Sequence, residues 1–354
     1  MKKFLIFLVL LTEVNIIYSS GIGKAALPLL SVSSFARAEG MGGAFGAIEG
    51  GIDSALYNPA GISGVKNILL SFSMQNWIGN MNNTQMGGLY PMKFIGNFSF
   101  IISFWGMSDK IIAYDESGLK LDKDIDVNNL FIILSYGRNL SEKLKVGCNL
   151  KYINENLVDR KYNNFALDIG LNYIFFEPMG LNLGSTIQNL GNKVNGDIMP
   201  VNYKLSASYL IKFKKITIGI ENIILGFDFN LPAGAKINYA LGSEFNFLNI
   251  NEIKPAFRFG IKLPFDTGGV SWLSFGAGLN WKNLILDYCL SPYTGISEYV
   301  NRITISYKFE GVKEKKVEAK EEKKEIEEFK KEEKLEKQKE EKKKDEFEKE
   351  FDEF

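Results

Sequence analysis

The sequence predicts an all-β fold, a transmembrane antiparallel β-barrel of about 14 strands, with a glycine-rich plug before it and a charged tail after it. Three observations carry that reading. Polar and apolar residues alternate with period two from Asn67 to Phe309, in segments of about 8–12 residues, the length a tilted strand needs to cross a bilayer. The connections between those segments alternate between short and long, as they do in outer-membrane barrels. The stretch Phe35–Ser63, FARAEGMGGAFGAIEGGIDSALYNPAGIS, is too rich in glycine and alanine for an ordinary helix or strand, and it precedes the first alternating segment.

The chain opens on a secretory leader. Lys2 and Lys3 supply the positive end, Phe4 to Leu11 an apolar run, and Ser19, Ser20 and Gly21 the small residues a peptidase accepts. Glu13 ends the run, which is too short for a membrane-crossing helix. Cleavage is expected near Ser20, and with no cysteine after the apolar run a lipoprotein anchor is not expected. The organisation predicted is a leader over 1–20, a plug over 21–66, a barrel over 67–310 and a tail over 311–354. A leader with no later run of about 18 apolar residues points to the outer membrane of a diderm bacterium. An even strand count places both termini on the periplasmic side.

Formal net charge is zero, but the average hides a Lys/Glu-rich end beyond Gly311 and an aromatic-rich body with much of the 27 Phe and 15 Tyr. Neither region has the basic excess of a nucleic-acid binder. There is no histidine, which counts against His-based acid–base catalysis and most transition-metal sites. No carboxylate pair, serine-centred motif or metal cluster stands out, so no enzyme, catalytic residue, metal or cofactor is expected.

Within the plug, Gly40, Gly42, Gly43 and Gly46 let backbone approach backbone closely. The G-x-G-G string resembles a phosphate loop, but no strand precedes it and no Lys-Ser/Thr follows. Asp53 and Asn58 suit turn and cap hydrogen bonds, and Pro59 fixes the bend. These residues are the plug or gate candidates, and a packed plug outweighs direct ligand contact as their role.

Alternation is clear in Ile68–Gln75, Phe165–Tyr173 and Asn238–Phe247, and in the closing strand, where Ile303, Ile305, Tyr307 and Phe309 oppose Arg302, Thr304, Ser306 and Lys308. Short turns are predicted at Pro91–Gly96, Asn139–Glu142, Glu177–Gly180, Phe213–Lys214, Asn249–Ile253 and Lys282. Longer loops are predicted at Trp77–Asn82, Met107–Val127, Glu155–Asn163, Leu190–Pro200, Gly226–Ala235, Pro264–Val270 and Pro292–Val300. Trp77, Tyr90, Trp105, Tyr136, Phe175, Phe176, Tyr209, Trp281 and Tyr288 fall near strand ends and are expected in interfacial girdles. Cys148 shares the outward parity and Cys289 the inward parity with Asp287, so two free thiols are expected. Lys151, Asp168, Glu221, Glu244, Arg258, Lys262 and Asp287 have inward parity and are the candidate lumen charges. With a tight hairpin around Asp159-Arg160, Lys151 lies across from Asp168 and Asn149 across from Gly170.

The blocks ARAEGMGGAFGAIEGGIDSALYNPAGI (Ala36–Ile62), VGCNLKYI (Val146–Ile153), FALDIGLNY (Phe165–Tyr173), TIQNLG (Thr186–Gly191) and LDYCLSPYTGISEYVNRITISYKF (Leu286–Phe309) resemble the PorV/PorQ group of outer-membrane proteins, distantly related to the FadL fatty-acid transporters. The resemblance implies a barrel of about 14 strands with the N-terminal segment packed in its lumen. It implies either plug-gated passage of hydrophobic molecules, as in FadL-type proteins, or a scaffold or shuttle for protein export, as in PorV-type proteins. The chain departs from that pattern in its Lys/Glu tail and in Asn301, where a histidine is common.

Beyond Phe309, Glu and Lys recur at i,i+4 spacing, which supports a solvated helix, while apolar residues are too sparse for heptads and disorder is the alternative. Phe347, Phe351 and Phe354 form one apolar stripe, expected to dock a periplasmic partner. The other expected partners are the lipid bilayer, the barrel-assembly machinery and a hydrophobic small-molecule ligand; a mainly structural envelope role is the third functional alternative.

Overall fold

The computed structural model describes residues 26–309 except 108–110, 115–116, 118, 126, 158–159, 177–179, 195, 214–218, 264–271 and 293–297. The expected leader and tail, with Phe347, Phe351 and Phe354, lie outside the described residues.

The strands are β1 (Ile68–Asn76), β2 (Met81–Met92), β3 (Gly96–Met107), β4 (Ile111–Tyr114), β5 (Lys120–Ile125), β6 (Val127–Asn139), β7 (Leu144–Leu157) and β8 (Arg160–Phe176). They continue as β9 (Leu181–Gly191), β10 (Asn202–Lys212), β11 (Ile220–Pro232), β12 (Asn238–Phe247), β13 (Ile253–Leu263), β14 (Leu273–Trp281), β15 (Leu284–Pro292) and β16 (Tyr299–Phe309). All but β4 and β5 pair with their chain neighbours in one closed barrel of 14 strands. The ring is sealed by antiparallel pairing of β1 with β16, from Ile68 opposite Phe309 to Asn76 opposite Asn301. Closure leaves no edge with unpaired N–H and C=O groups, the condition for a sheet to sit in hydrocarbon. β4 and β5 form a separate two-stranded hairpin inside the predicted Met107–Val127 loop.

Alternation places Leu70 and Met74 on the outer face of β1 and Ser71, Ser73 and Gln75, all buried, on the inner face. The same parity repeats round the ring, so the outer surface is an apolar belt that includes Tyr239, Leu241, Phe257, Phe259 and Phe275. A band of that kind is stable only against another apolar medium. Cys148 is exposed on the outer face and Cys289 buried on the inner one, both as free thiols.

Three loop and girdle expectations are corrected. The Glu155–Asn163 segment is not a long loop, because β7 runs to Leu157 and pairs it with Arg160, leaving only 158–159 between the strands. The turn is thus centred one position earlier than expected and the register moves by two residues. Lys151 lies opposite Ala166, Asn149 opposite Asp168, and Gly170 opposite Gly147. A shift of two keeps every side chain on its face, so the inward parity of Lys151 and Asp168 survives. The segment Gly226–Ala235 is strand through Pro232, because Phe227 and Phe229 continue the outward series while Gly226, Asp228 and Asn230 face in. Trp105 is not in a girdle: it follows outward Phe104, so it points inward, is fully buried, and meets Trp77 edge-on with ring centroids 6.0 Å apart.

The chain enters and leaves the ring at the end that carries the turns after β2, β6, β8, β10, β12 and β14, here the turn end; the opposite end is the loop end. Strand parity fixes those two positions and does not extend to the plug. Ala26 lies at the loop end, where its N–H donates to the Ile198 carbonyl at 2.9 Å. Leu27 there packs with Trp105, Phe131, Ile153, Val194 and Met199. The chain then threads the lumen through helix α1 (Ala36–Gly40), helix α2 (Ser54–Tyr57) and a 3-10 turn (Pro59–Gly64) before β1.

On its way it runs round the inner wall. α1 packs on β13 to β16, Met41 and Gly42 reach Gly242 and Gly260, Ala44 reaches Gly226, and Pro59 and Ile62 reach Gly147 and Gly137. At each of these wall glycines an added Cβ would come closer than 3.0 Å to the plug, mostly to its backbone. Gly42 itself has φ +65°, a left-handed conformation that costs a side-chain-bearing residue energy. Replacing Gly260 by valine is expected to unseat the Met41–Gly43 turn and cost about 1–3 kcal/mol. Limited proteolysis should then cut the plug while the barrel keeps its compact gel mobility.

Candidate functional site: the plugged lumen

The plug carries charge into the lumen, and the wall answers it. Arg37, on α1, donates from Nε and Nη2 to the Glu244 carboxylate at 2.8 and 2.9 Å, and from Nη1 to the Gly50 carbonyl at 2.5 Å. Glu244 also accepts from Arg258 Nε at 2.6 Å, and Arg258 Nη1 donates to Asp287 at 2.7 Å. One chain of alternating charge thus ties α1 to β12, β13 and β15. Glu39, two residues on, faces the other way: it accepts from the Tyr57 hydroxyl at 2.5 Å and pairs with Arg302 at 3.3 Å and Lys262 at 3.7 Å.

Other plug groups are held by single wall residues. The Asp228 carboxylate accepts from the Phe45 and Gly46 N–H groups at 3.2 and 3.1 Å and pairs with Lys204 at 3.1 Å. Asn58 donates to the Gly46 carbonyl at 2.7 Å and accepts from Ala60 N–H at 3.1 Å, capping the 3-10 turn that Pro59 begins. Asn149 donates to the Ala55 carbonyl and to Asp168, both at 2.7 Å. Lys151 Nζ reaches the same carboxylate diagonally, at 2.7 Å. Buried charges are costly unless paired and hydrogen-bonded. Here each is met by a geometry that also fixes where a plug segment sits.

Of the candidates, Gly40, Gly42, Gly43, Asn58 and Pro59 therefore lie at plug–wall contacts, and Glu244, Arg258, Lys262 and Asp287 converge on the plug, while Lys151 and Asp168 pair within the wall and reach the plug through Asn149. Glu221 does not join them. It sits at a bulge between Ile220 and Asn222, is half-exposed at the turn end, and pairs with Lys254 at 3.3 Å. Ile303, Ile305, Tyr307 and Phe309 face outward on the closing strand, exposed as a row on the membrane face. Arg37, Glu39, Tyr57, Lys204, Asp228 and Arg302 were not anticipated. Arg37 and Glu39 had a visible signal, being the charges within the otherwise uncharged Phe35–Ile48.

Among the described residues, two cavities that flank the plug stand out. The larger, about 600 Å³, opens toward the loop end and is lined by Leu29, Leu30, Val32, Trp77, Phe131 and Ile133 among apolar groups. Of its cationic lining, Lys151 pairs with Asp168, Lys204 with Asp228, and Lys262 and Arg302 with Glu39, while Lys236 lines the rim. The smaller, about 260 Å³, lies toward the turn end between the plug and β1, β15 and β16, with Phe35, Arg37, Asp53, Leu69, Ile285 and Thr304 on its walls.

No protein-family model and no curated protein matches the sequence. Among solved structures it is similar to the toluene transporter TodX of Pseudomonas putida, with TM-score 0.51 and 10% identity over 78% of this chain and 98% of that one. It is also similar to the CymD monoaromatic hydrocarbon channel, with TM-score 0.54 and 12% identity over 81% of this chain and all of that one. At such identity the likeness is one of fold. This chain is a closed 14-strand barrel similar in fold to TodX.

Asp53, in the plug and outside the membrane-crossing strands, is buried, and its side chain accepts from the Ser54 N–H at 3.2 Å. Burial pushes its carboxyl from 3.8 up to about 6, against the pull of Arg37. Because the folded value lies above the unfolded one, this group's stabilising contribution is complete below about 3.8 and is lost as pH rises through about 6. At about 1.4 kcal/mol per pH unit that is about 3 kcal/mol. Asp53→Asn is expected to remove this part of the pH dependence of urea unfolding between pH 4 and 7, whereas superimposable profiles would show that Asp53 does not titrate there.

Proposed function

We propose that this protein sits in the outer membrane of a diderm bacterium, turn end toward the periplasm, and binds and passes small hydrophobic molecules through its plugged lumen. The observation that carries the reading is the large loop-end cavity, which combines a largely apolar surface with the inner charges Lys151, Lys204, Lys262 and Arg302 paired off in its wall. Such a site rewards burial of an apolar body, at about 25 cal/mol per Å² of apolar surface removed from water, and offers little to a strongly hydrated ion. The TodX toluene transporter and the CymD monoaromatic hydrocarbon channel have a similar barrel and support the same class of ligand. The expected leader and the closing strand ending at Phe309 fit export and insertion by the barrel-assembly machinery.

A second reading, a PorV-type scaffold or shuttle for exported proteins, draws on one observation: the plug is bonded to the wall nearly all the way round. In that reading the β4–β5 hairpin, the loops and the tail with its Phe347, Phe351 and Phe354 stripe are contact surfaces for a periplasmic or exported partner.

Ligand binding separates the two. Toluene or oleate added to the purified protein is expected to quench tryptophan fluorescence, and Trp77→Phe to remove most of the change because Trp77 lines the cavity. Cells expressing the full chain should take up the same compounds faster than cells lacking it. Absence of both effects would leave the scaffold reading.

A further inference from the structure

The two cavities are separated by very little chain. Ser33 lines the larger and Phe35 the smaller, so at this point a single residue, Ser34, stands between them. The same division holds on the closing strand, where Arg302 faces the larger cavity and Thr304 the smaller. Along β7, β11, β12 and β13 the plug turns its backbone to wall glycines, and on β2, β3 and β6 it packs Ile52 and Ile62 against the wall. On β15, β16 and β1 the inward positions carry side chains instead, and the smaller cavity lies there.

The hold on the thin segment is of a different kind from the hold on the rest. Ser34 N–H donates to Gln85 at 3.1 Å, its hydroxyl donates to Gln75 at 2.9 Å, and its carbonyl accepts from Ser73 at 2.5 Å. Ala36 N–H donates to Thr304 at 2.9 Å, and Arg302 donates to the Ser33 carbonyl at 3.2 Å. Along Ser33–Ala36 these are neutral side-chain bonds or a single charge-assisted one, each exchangeable for water or for a neighbouring hydroxyl; Phe35 adds apolar packing against Ile52, Leu69 and Leu89, and the ion pair of Arg37 with Glu244 marks where the firmer hold begins. Ser73 and Thr304 are 2.8 Å apart, and Ser71 and Ser306 2.7 Å, so the wall keeps its own partners if the segment leaves. A backbone-to-glycine seat has no such alternative, because moving the plug there opens a void that nothing fills.

We infer that the conduit runs along the β15–β16–β1 side of the lumen, and that Ser33–Ala36 is its gate, hinged at Arg37 where the Glu244 ion pair holds the chain, while Met41–Pro59 is a fixed bulkhead. The inference rests on the passage reading above and adds its route. When the segment swings away from Thr304 and Ser73, the two cavities join without any shift of the glycine-seated plug.

Two measurements on the full chain test it. In lipid nanodiscs the Ser34 and Ala36 amides are expected to exchange with deuterium about tenfold or more faster than those of Phe45 and Gly46, although all four are bonded to side chains. In planar bilayers Phe35→Ala is expected to raise potassium chloride conductance. With the native inward thiol removed by Cys289→Ser, a cationic methanethiosulfonate should block that current when Ser306→Cys is added, and should leave it unchanged with Ser208→Cys on the opposite wall or with no cysteine added. Equal exchange at the two sites would overturn the inference, as would block at Ser208→Cys or a folded Phe35→Ala barrel with no added conductance. If Phe35→Ala does not reach the compact gel form, the exchange rates decide alone. Failure of the passage reading looks different: no uptake of toluene or oleate by cells, with the route map intact.

Discussion

The structure depends on backbone lying against backbone inside a closed ring. Sheet closure at 14 strands leaves a lumen wider than barrel side chains fill, and something must occupy it. The chain fills it with its own N-terminal segment, which fits because wall residues such as Gly147, Gly242 and Gly260 have no side chain where the plug passes. Shape complementarity of that kind is indifferent to salt and pH. It fixes the plug's path before any charge is counted.

The charges then set register. Buried ion pairs add little net stability over an apolar substitute, since desolvation offsets most of the attraction, but breaking one leaves its partner stranded. Glu244, held between Arg37 and Arg258, and Asp228, which accepts from two plug N–H groups, therefore act as locating pins. Glu39 differs in placement. It faces the larger cavity, where burial raises its carboxyl but Lys262, Arg302 and the Tyr57 hydroxyl more than reverse this and hold it below the usual range. That carboxylate stays ionised beside an apolar chamber, and so keeps Arg302 engaged with the segment that separates the two cavities.

The barrel was legible in the sequence because period two is a property of each strand alone: Leu70 and Met74 against Ser71 and Ser73 need no knowledge of the neighbour. The same parity placed Cys148 outside, Cys289 inside, and Lys151 with Asp168 on one face. What it could not give is anything that depends on where a turn falls. The β7–β8 turn sits one position early, so the Lys151–Asp168 pair is diagonal rather than direct. Gly226 looked like the start of a loop because glycine usually marks one, whereas here it is a strand position emptied for Ala44. Trp105 was assigned to a girdle from its position along the strand, although its parity with respect to Phe104 already pointed it inward. The plug glycines were recognised by composition alone. Their wall partners, and the roles of Arg37, Glu39 and Arg302, follow from a path through the lumen that no local pattern encodes.

The central claim is that the loop-end cavity takes up an apolar molecule. Its most direct test is a crystal of the full chain soaked with 4-bromotoluene and measured at the bromine absorption edge. The expected result is an anomalous peak inside the lumen, among Leu30, Trp77 and Phe131. Bromine found only along the outer apolar belt, with the cavity empty, would contradict it.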